Sequence, residues 1–199
     1  MRDKEPKQNI PIAIVGAGPV GLSLALGLAR HGVRLLVFER NARLSEHSKA
    51  AGVHLRTREI FRLWGIEERF LRAGMLMPTI TQHHAVEGRG PISSLDFTEL
   101  EAGADRPGVL MLEQSETERL LLEALEETGL SEVRFGAEVV GLVPDEDGTT
   151  LRIREEEIEY AIRAEYVAGC DGASSFVRRA MDLPFEGLTY SLRPMLADV

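Results

Sequence analysis

Cys170 is the only cysteine in the 199-residue chain, so an intrachain disulfide is excluded and the chain suits a reducing, cytoplasmic compartment. No stripe of Lys and Arg runs along it. Asp and Glu number 32 against 23 Lys and Arg, giving a net charge of −9 with the two signs interleaved. Nucleic acid is therefore excluded as the main partner, since neutralising phosphates needs a basic face. The short acidic runs Asp145-Glu146-Asp147 and Glu155-Glu156-Glu157 read as solvated turns. No serine sits on a Gly-x-Ser-x-Gly elbow, which argues against Ser-His-Asp chemistry. His83 and His84 are adjacent and lack the helical spacing of a zinc pair, so no metal is expected and a loop or sheet-surface position is. No internal repeat, low-complexity tract or long linker is present. What remains is an ordinary globular composition, 44% hydrophobic and 28% charged. The length suits one α/β domain with a full core, or one domain plus the start of another.

One stretch, Ile10 to Ala29, carries no charge and on length alone could span a bilayer or serve as a signal peptide. Gly16, Gly18, Pro19 and Gly21 break it in the middle, so a strand, a turn and a helix are expected and no membrane span. Ile10 to Val15 reads as a parallel strand buried on both faces. Pro19 can open a helix without losing a needed donor, and Gly32 suits its end near His31. Val33 to Phe38 then closes a βαβ unit of about thirty residues.

Within that unit Gly16-Ala17-Gly18-Pro19-Val20-Gly21 is a G-x-G-x-x-G between strand and helix. Gly16 permits the tight turn, Gly18 lets backbone approach a pyrophosphate, and Gly21 lets the helix lie close to the strand. The helix N-terminus would face the phosphates with free N–H groups. Ala25 and Gly32 occupy helix-packing positions. Glu39 ends the second strand, near the offset expected of an acid that binds ribose hydroxyls. A carboxylate there would repel a 2′-phosphate, which disfavours NADP and leaves the adenosine of NAD or FAD.

Further along, His54 to Trp64 reads as a helix with Ile60, Phe61, Leu63 and Trp64 turned inward, ended by Gly65. Thr79 to Phe97 reads as a hairpin. Ser115-x-x-Glu118 has the form of a capping box opening a leucine-rich helix that Gly129 closes. Arg134 to Val143, Thr149 to Arg154 and Glu159 to Arg163 read as a meander, with a tight turn at Asp147-Gly148. Tyr166 to Cys170 reads as a further buried strand, and Asp171-Gly172 leads to a helix near Ser174. An NAD dehydrogenase would continue promptly into further βα units. About seventy residues intervene here before the next capped helix, followed by a meander and a second phosphate-type turn.

The segments IPIAIVGAGPVGLSLALGLARHGVRLLVFER, AAGVHLRTREIFRLWGI, LEQSETERLL and VAGCDGASSFVRRAM, in that order and spacing, resemble the FAD-dependent aromatic hydroxylases related to p-hydroxybenzoate hydroxylase. The phenol and polyketide hydroxylase branch is the nearest in pattern. The resemblance runs from Ile10 to Gly187. It implies an α/β, Rossmann-like FAD-binding fold of the glutathione-reductase type, with a β-meander and the start of a substrate-domain sheet. It also implies FAD as cofactor, NADH or NADPH as transient electron donor, O2 as co-substrate and a small aromatic substrate, phenolic or polyketide-like.

Carried over by position, Gly16 to Gly21 would hold the pyrophosphate, and Glu39 the adenosine ribose with Arg40 beside it. Gln114 would contact the ribityl or pyrophosphate region, and Gly52 and Val53 would lie near the flavin ring. Asp171, with Gly172, would bind the phosphate side and orient the nicotinamide donor, its carboxylate fixed by backbone donors of the turn. Val139 of the meander joins the expected cofactor-binding set. The family's arginine before the Gly-Val pair has no counterpart, and Lys49 is the available cation. The family's later Gly-Asp motif has no match before Val199. The chain is therefore expected to be an N-terminal FAD-binding part, inactive by itself: 1–9 a tail, 10–74 and 108–183 the FAD-binding domain, 75–107 and 184–199 partial substrate-domain elements. A reductase of isoprenoid chains or an oxidase on the same fold, or a non-catalytic dinucleotide-binding module, are the alternatives. No catalytic acid or base is assigned. Cys170 reads as a small buried hydrophobe and Trp64 as core. Arg178 and Arg179 are candidates to reach the phosphates, at least one of them being a solvated helix charge.

Overall fold

A computed structural model describes residues 9–45, 52–83, 89–188 and 191. The first half runs β1 (Asn9–Val15), α1 (Pro19–Arg30), β2 (Leu35–Glu39), β3 (Gly52–Val53), α2 (Leu55–Leu63), α3 (Glu67–Ala73), β4 (Met75–Met77), β5 (Thr79–His83), β6 (Pro91–Asp96) and α4 (Phe97–Leu100). The second runs β7 (Val109–Met111), α5 (Gln114–Glu126), β8 (Ser131–Phe135), β9 (Ala137–Asp145), β10 (Gly148–Glu155), β11 (Ile158–Gly169) and α6 (Phe176–Ala180). The main sheet has six strands in the order β8-β2-β1-β11-β10-β9. Its first four strands pair in parallel, and β11, β10 and β9 pair antiparallel.

Alternation explains why β1 and β2 sit at the centre. In β1, Ile14 packs on the α1/α5 side while Ala13 and Val15 pack towards the meander. In β2, Leu35 and Val37 face the helices, and Leu36 and Phe38 face the meander. A strand buried on both faces must be apolar at every position, as the two runs are. Leu22, Ala25, Leu26 and Ala29 give α1 its buried stripe at helical spacing. The charge-free run Ile10 to Ala29 is thus divided between β1 and α1, and no described helix is long and apolar enough to cross a membrane.

Four sequence expectations are corrected. The second strand lies at Leu35–Glu39, two residues beyond its expected start. The capping box does not form: α5 begins at Gln114 behind Glu113, no side chain caps it, and the Glu118 carboxylate instead accepts from Gln114 Nε2 at 2.6 Å. Arg134 to Val143 is not one strand. Gly136, with φ of +72°, turns the chain between β8, which pairs with β2, and β9, which starts the meander. Conversely, Glu159–Arg163 and Tyr166–Cys170 belong to one long strand, β11. Its first half pairs with β10 and its second with β1, so one strand joins the meander to the parallel sheet.

Leu63 is also corrected: it is 80% exposed, while Phe61 is buried and Trp64 packs beside it with ring centroids 6.1 Å apart. The largest fully buried side chain of this region is Arg58. Its guanidinium donates to the carbonyls of Arg106 at 2.7 Å and Gly108 at 3.0 Å, and its Nε lies 3.3 Å from buried Glu67. Thr79–His83 and Pro91–Asp96 pair antiparallel, as expected of a hairpin, and are exposed on both strands, with His83 on the first; His84 lies outside the described residues. Met75–Met77 pairs with β7 in a separate three-stranded sheet. Arg58 therefore pins the point at which the chain returns from the hairpin to β7.

Candidate functional site

A groove of about 520 Å³ opens at the C-terminal ends of β1 and β2. Gly16 turns the chain out of β1 with φ of +103°, a conformation L side chains rarely adopt, and a Cβ there would lie 2.5 Å from the carbonyl oxygen of Cys170. Gly21 allows α1 to press on the same turn, since its Cβ would fall 1.9 Å from the Gly16 carbonyl oxygen. Gly18 differs: a Cβ there meets nothing within 4 Å, so the space beside it is open groove. Gly18 is the N-cap of α1, Pro19 opens the helix, and no side chain caps it or places an acid in its first turn. Its leading N–H groups therefore remain available to an anion.

Glu39 closes β2 at the groove edge. Its Oε2 accepts from the Ala17 N–H at 2.9 Å, and its Oε1 from the Asn41 N–H at 2.9 Å and Asn41 Nδ2 at 2.6 Å. On the opposite side the turn after β11 brings up Asp171, whose Oδ2 accepts from the N–H groups of Phe176 at 2.6 Å and Val177 at 3.1 Å. Ser175 Oγ takes the Arg178 N–H, so side chains occupy the N-terminus of α6. Asp171 Oδ1 is buried without a hydrogen-bond partner among the described residues. Burial, and then the neighbouring Asp171 carboxylate, push the Cys170 thiol above its ordinary pKa.

Of the expected cofactor residues, Gly16, Ala17, Gly18, Pro19, Val20, Glu39, Arg40, Gln114, Val139, Asp171 and Gly172 all line this one groove. Gly21 lies beneath it. Gly52 and Val53 line a smaller adjoining cavity of about 150 Å³ that shares Pro19 and Gln114 with the groove. Lys49 lies outside the described residues. Of the arginine pair, Arg179 reaches the groove wall, held by the Ser174 carbonyl at 2.6 Å, whereas Arg178 lies over the Phe185 ring at 4.5 Å. Sequence reasoning missed Asn41, Glu118 and Glu138 on the groove, and Ser23, Thr57 and Thr117 on the smaller cavity. Asn41 carries one local signal, its position two residues beyond the strand-end acid. Among the described residues no three His, Cys, Asp or Glu gather to hold a metal ion.

A strand-end glycine loop, an uncapped helix N-terminus and an acid on the next strand gather on one groove, the arrangement that dinucleotide-binding βαβ units present. The family described as FAD binding domain matches residues 9–199. The chain belongs to this FAD-binding family. A rifampicin monooxygenase of Streptomyces venezuelae is 36% identical over 189 residues, covering 94% of the chain and 37% of that enzyme. The 12-dehydrotetracycline 5-monooxygenase/anhydrotetracycline 6-monooxygenase of Streptomyces rimosus is 35% identical over 192 residues, with coverage of 94% and 35%. The structure of p-nitrophenol 4-monooxygenase from Pseudomonas putida superposes with a TM-score of 0.87 at 29% identity, covering 92% of the chain and 46% of that enzyme. Aklavinone-11 hydroxylase, solved with FAD and aklavinone, gives 0.77 at 33% identity, with coverage of 92% and 36%. The FAD-binding chain thus spans little more than a third of the curated relatives it matches. Its fold is the Rossmann-like α/β type expected from sequence.

Proposed function

We propose that the chain is the FAD-binding part of a monooxygenase that hydroxylates an aromatic substrate, phenolic or polyketide-like, using NAD(P)H and O2. The observation that carries this reading is the convergence of the glycine loop, Glu39 and the Asp171 turn on one groove, in a chain whose relatives are named monooxygenases and hydroxylases. When bound, FAD would supply the redox chemistry, taking a hydride from the nicotinamide donor and activating oxygen. The protein's residues bind and orient. The loop Gly16 to Gly21 would offer N–H groups and the open space beside Gly18 to the pyrophosphate. Glu39 would accept from the adenosine ribose, with Arg40 and Val139 at that end of the groove. Gln114, held by buried Glu118, would contact the ribityl or pyrophosphate region. Gly52 and Val53 would border the ring, with Lys49 on the segment before them. Asp171 would hold the shape of the phosphate-side turn with Gly172, through the two N–H groups its Oδ2 already accepts.

Two measurements test the reading. Cofactor released by heat from the protein expressed in FAD-replete cells should chromatograph as FAD, and recovery of FMN alone would refute the cofactor assignment. NAD(P)H consumption by the enzyme containing this chain should be stimulated by a phenol, with one oxygen atom from 18O2 in the product. Reduced or dehydrogenated product without added oxygen would assign a reductase or oxidase instead.

A further inference from the structure

We propose that Asn41 is a positioning residue for the adenosine end of the groove, saturating one oxygen of Glu39 so that the other is presented to a ribose hydroxyl. The proposal rests on the FAD-binding reading above. Glu39 ends a strand at a groove edge, where a glutamate has several rotatable bonds. Three donors remove that freedom. Oε1 receives both the backbone N–H and the side-chain Nδ2 of Asn41, at 2.9 and 2.6 Å, while among the described residues Oε2 receives only the Ala17 N–H, at 2.9 Å. An ionised carboxylate only accepts, so the amide face of Asn41 that meets Oε1 must be its NH2 group. With about two acceptor sites per carboxylate oxygen, Oε1 is filled and Oε2 retains one. That remaining site belongs to the oxygen already anchored to the glycine loop.

Asn41 also reaches a second wall. Its backbone carbonyl accepts the N–H of Gly136 at 2.8 Å, at the turn between β8 and β9. The next residues, Ala137 to Val139, line the groove. One residue therefore couples the end of β2, the glycine loop through Glu39, and the start of the meander. Asn41 itself lines the groove and is exposed, so no hydrophobic packing accounts for an asparagine there.

Calorimetric titration of the full chain with FAD, ADP and 2′,3′-dideoxy-ADP tests this. Wild type should prefer ADP to the dideoxy nucleotide. Asn41→Ala should weaken FAD and ADP by about five- to tenfold, the net worth of one ordinary hydrogen bond, since the lost bond acts on the ligand only through Glu39, and leave the dideoxy nucleotide unchanged. Asn41→Asp, which removes the donor and adds a like charge, should weaken ADP further. Asn41→Ser, which restores a hydroxyl donor, should recover most of the preference. Adding Asn41→Ala to Glu39→Ala should change nothing more. Equal weakening of ADP and dideoxy-ADP, or no weakening of either while Glu39→Ala still abolishes the preference, would overturn the assignment of Asn41 alone. A wild-type chain that binds neither FAD nor ADP would overturn the FAD reading, and this proposal with it.

Discussion

Gly18 and Gly21 belong to the same glycine fingerprint but should fail in different ways when each is replaced by alanine. A Cβ at Gly21 would lie 1.9 Å from a backbone carbonyl oxygen and 3.3 Å from the Cys170 Cβ. Ordinary contact begins about 1.5 Å farther out, so α1 must retreat from the β1 turn by a large part of that distance. Forcing atoms into a filled core costs about 1–3 kcal/mol, and the pinned carbonyl places Gly21→Ala at the upper end. The retreat also carries the N–H groups of α1 away from the groove, so FAD should weaken by at least about tenfold, or 1.4 kcal/mol. Gly18 has φ of −72° and ψ of −179°, which alanine adopts freely, and its Cβ meets no protein atom within 4 Å. Restricting the unfolded chain favours the alanine by about 0.4–1 kcal/mol, while alanine is a poorer N-cap than glycine by a similar amount. Stability should therefore stay within about 0.5 kcal/mol, yet the methyl fills the space proposed for the pyrophosphate, and FAD should again weaken by about tenfold or more. Urea denaturation without cofactor, paired with FAD titration by flavin fluorescence, separates the two variants. Wild-type FAD affinity in Gly18→Ala, or equal destabilisation of both variants, would refute the reasoning.

Arg58→Ala should cost about 3–5 kcal/mol in urea denaturation, because two buried carbonyls lose their donor and buried Glu67 loses one of its two cations. A loss below about 1 kcal/mol would mean that the region relaxes without it. Cys170 should react slowly with iodoacetamide, its rate rising only above the ordinary thiol range near pH 8.5, and more slowly still with FAD present. Half-maximal alkylation at or below that pH would contradict the upward shift. Asp145, held down to about 2 by the Arg163 guanidinium and the Asp147 N–H, contributes stability above the unfolded carboxylate pKa near 3.9. That contribution is lost as pH falls through the folded value. The Tm gap between wild type and Asp145→Asn should thus narrow steadily between about pH 5 and 2, and a gap independent of pH would remove the ion pair from the account.

Legibility in the sequence followed the distance between the parts concerned. The strand, turn and helix at the groove were readable because their signals are local: an apolar run for a doubly buried strand, glycines where a turn and a close crossing forbid a Cβ, and an acid where the next strand ends. From Gly16 to Glu39 the signals lie within one βαβ unit, although the atom that bars a Cβ at Gly16 belongs to Cys170 and the second strand starts only at Leu35. The same local reading of Asp171, as a carboxylate fixed by backbone donors at a strand-to-helix turn, matches its bonds to Phe176 and Val177. Only the tertiary structure decided the rest. Leu63 fits a helical stripe but falls at the exposed end of α2, while charged Arg58 is buried because carbonyls about fifty residues away need its donors. Ser115 and Glu118 have the spacing of a cap, but the helix starts one residue before Ser115 and Glu118 is drawn to Gln114. The continuity of β11 is set by two partners far apart in the chain, β10 and β1, which no period-two pattern can reveal. Asn41 shows the division most clearly. Its nearness to Glu39 is a matter of two residues, but its tie to Gly136 exists only because the sheet order sets β8 beside β2. Local pattern specifies what a side chain can bond; long-range register decides which partner arrives.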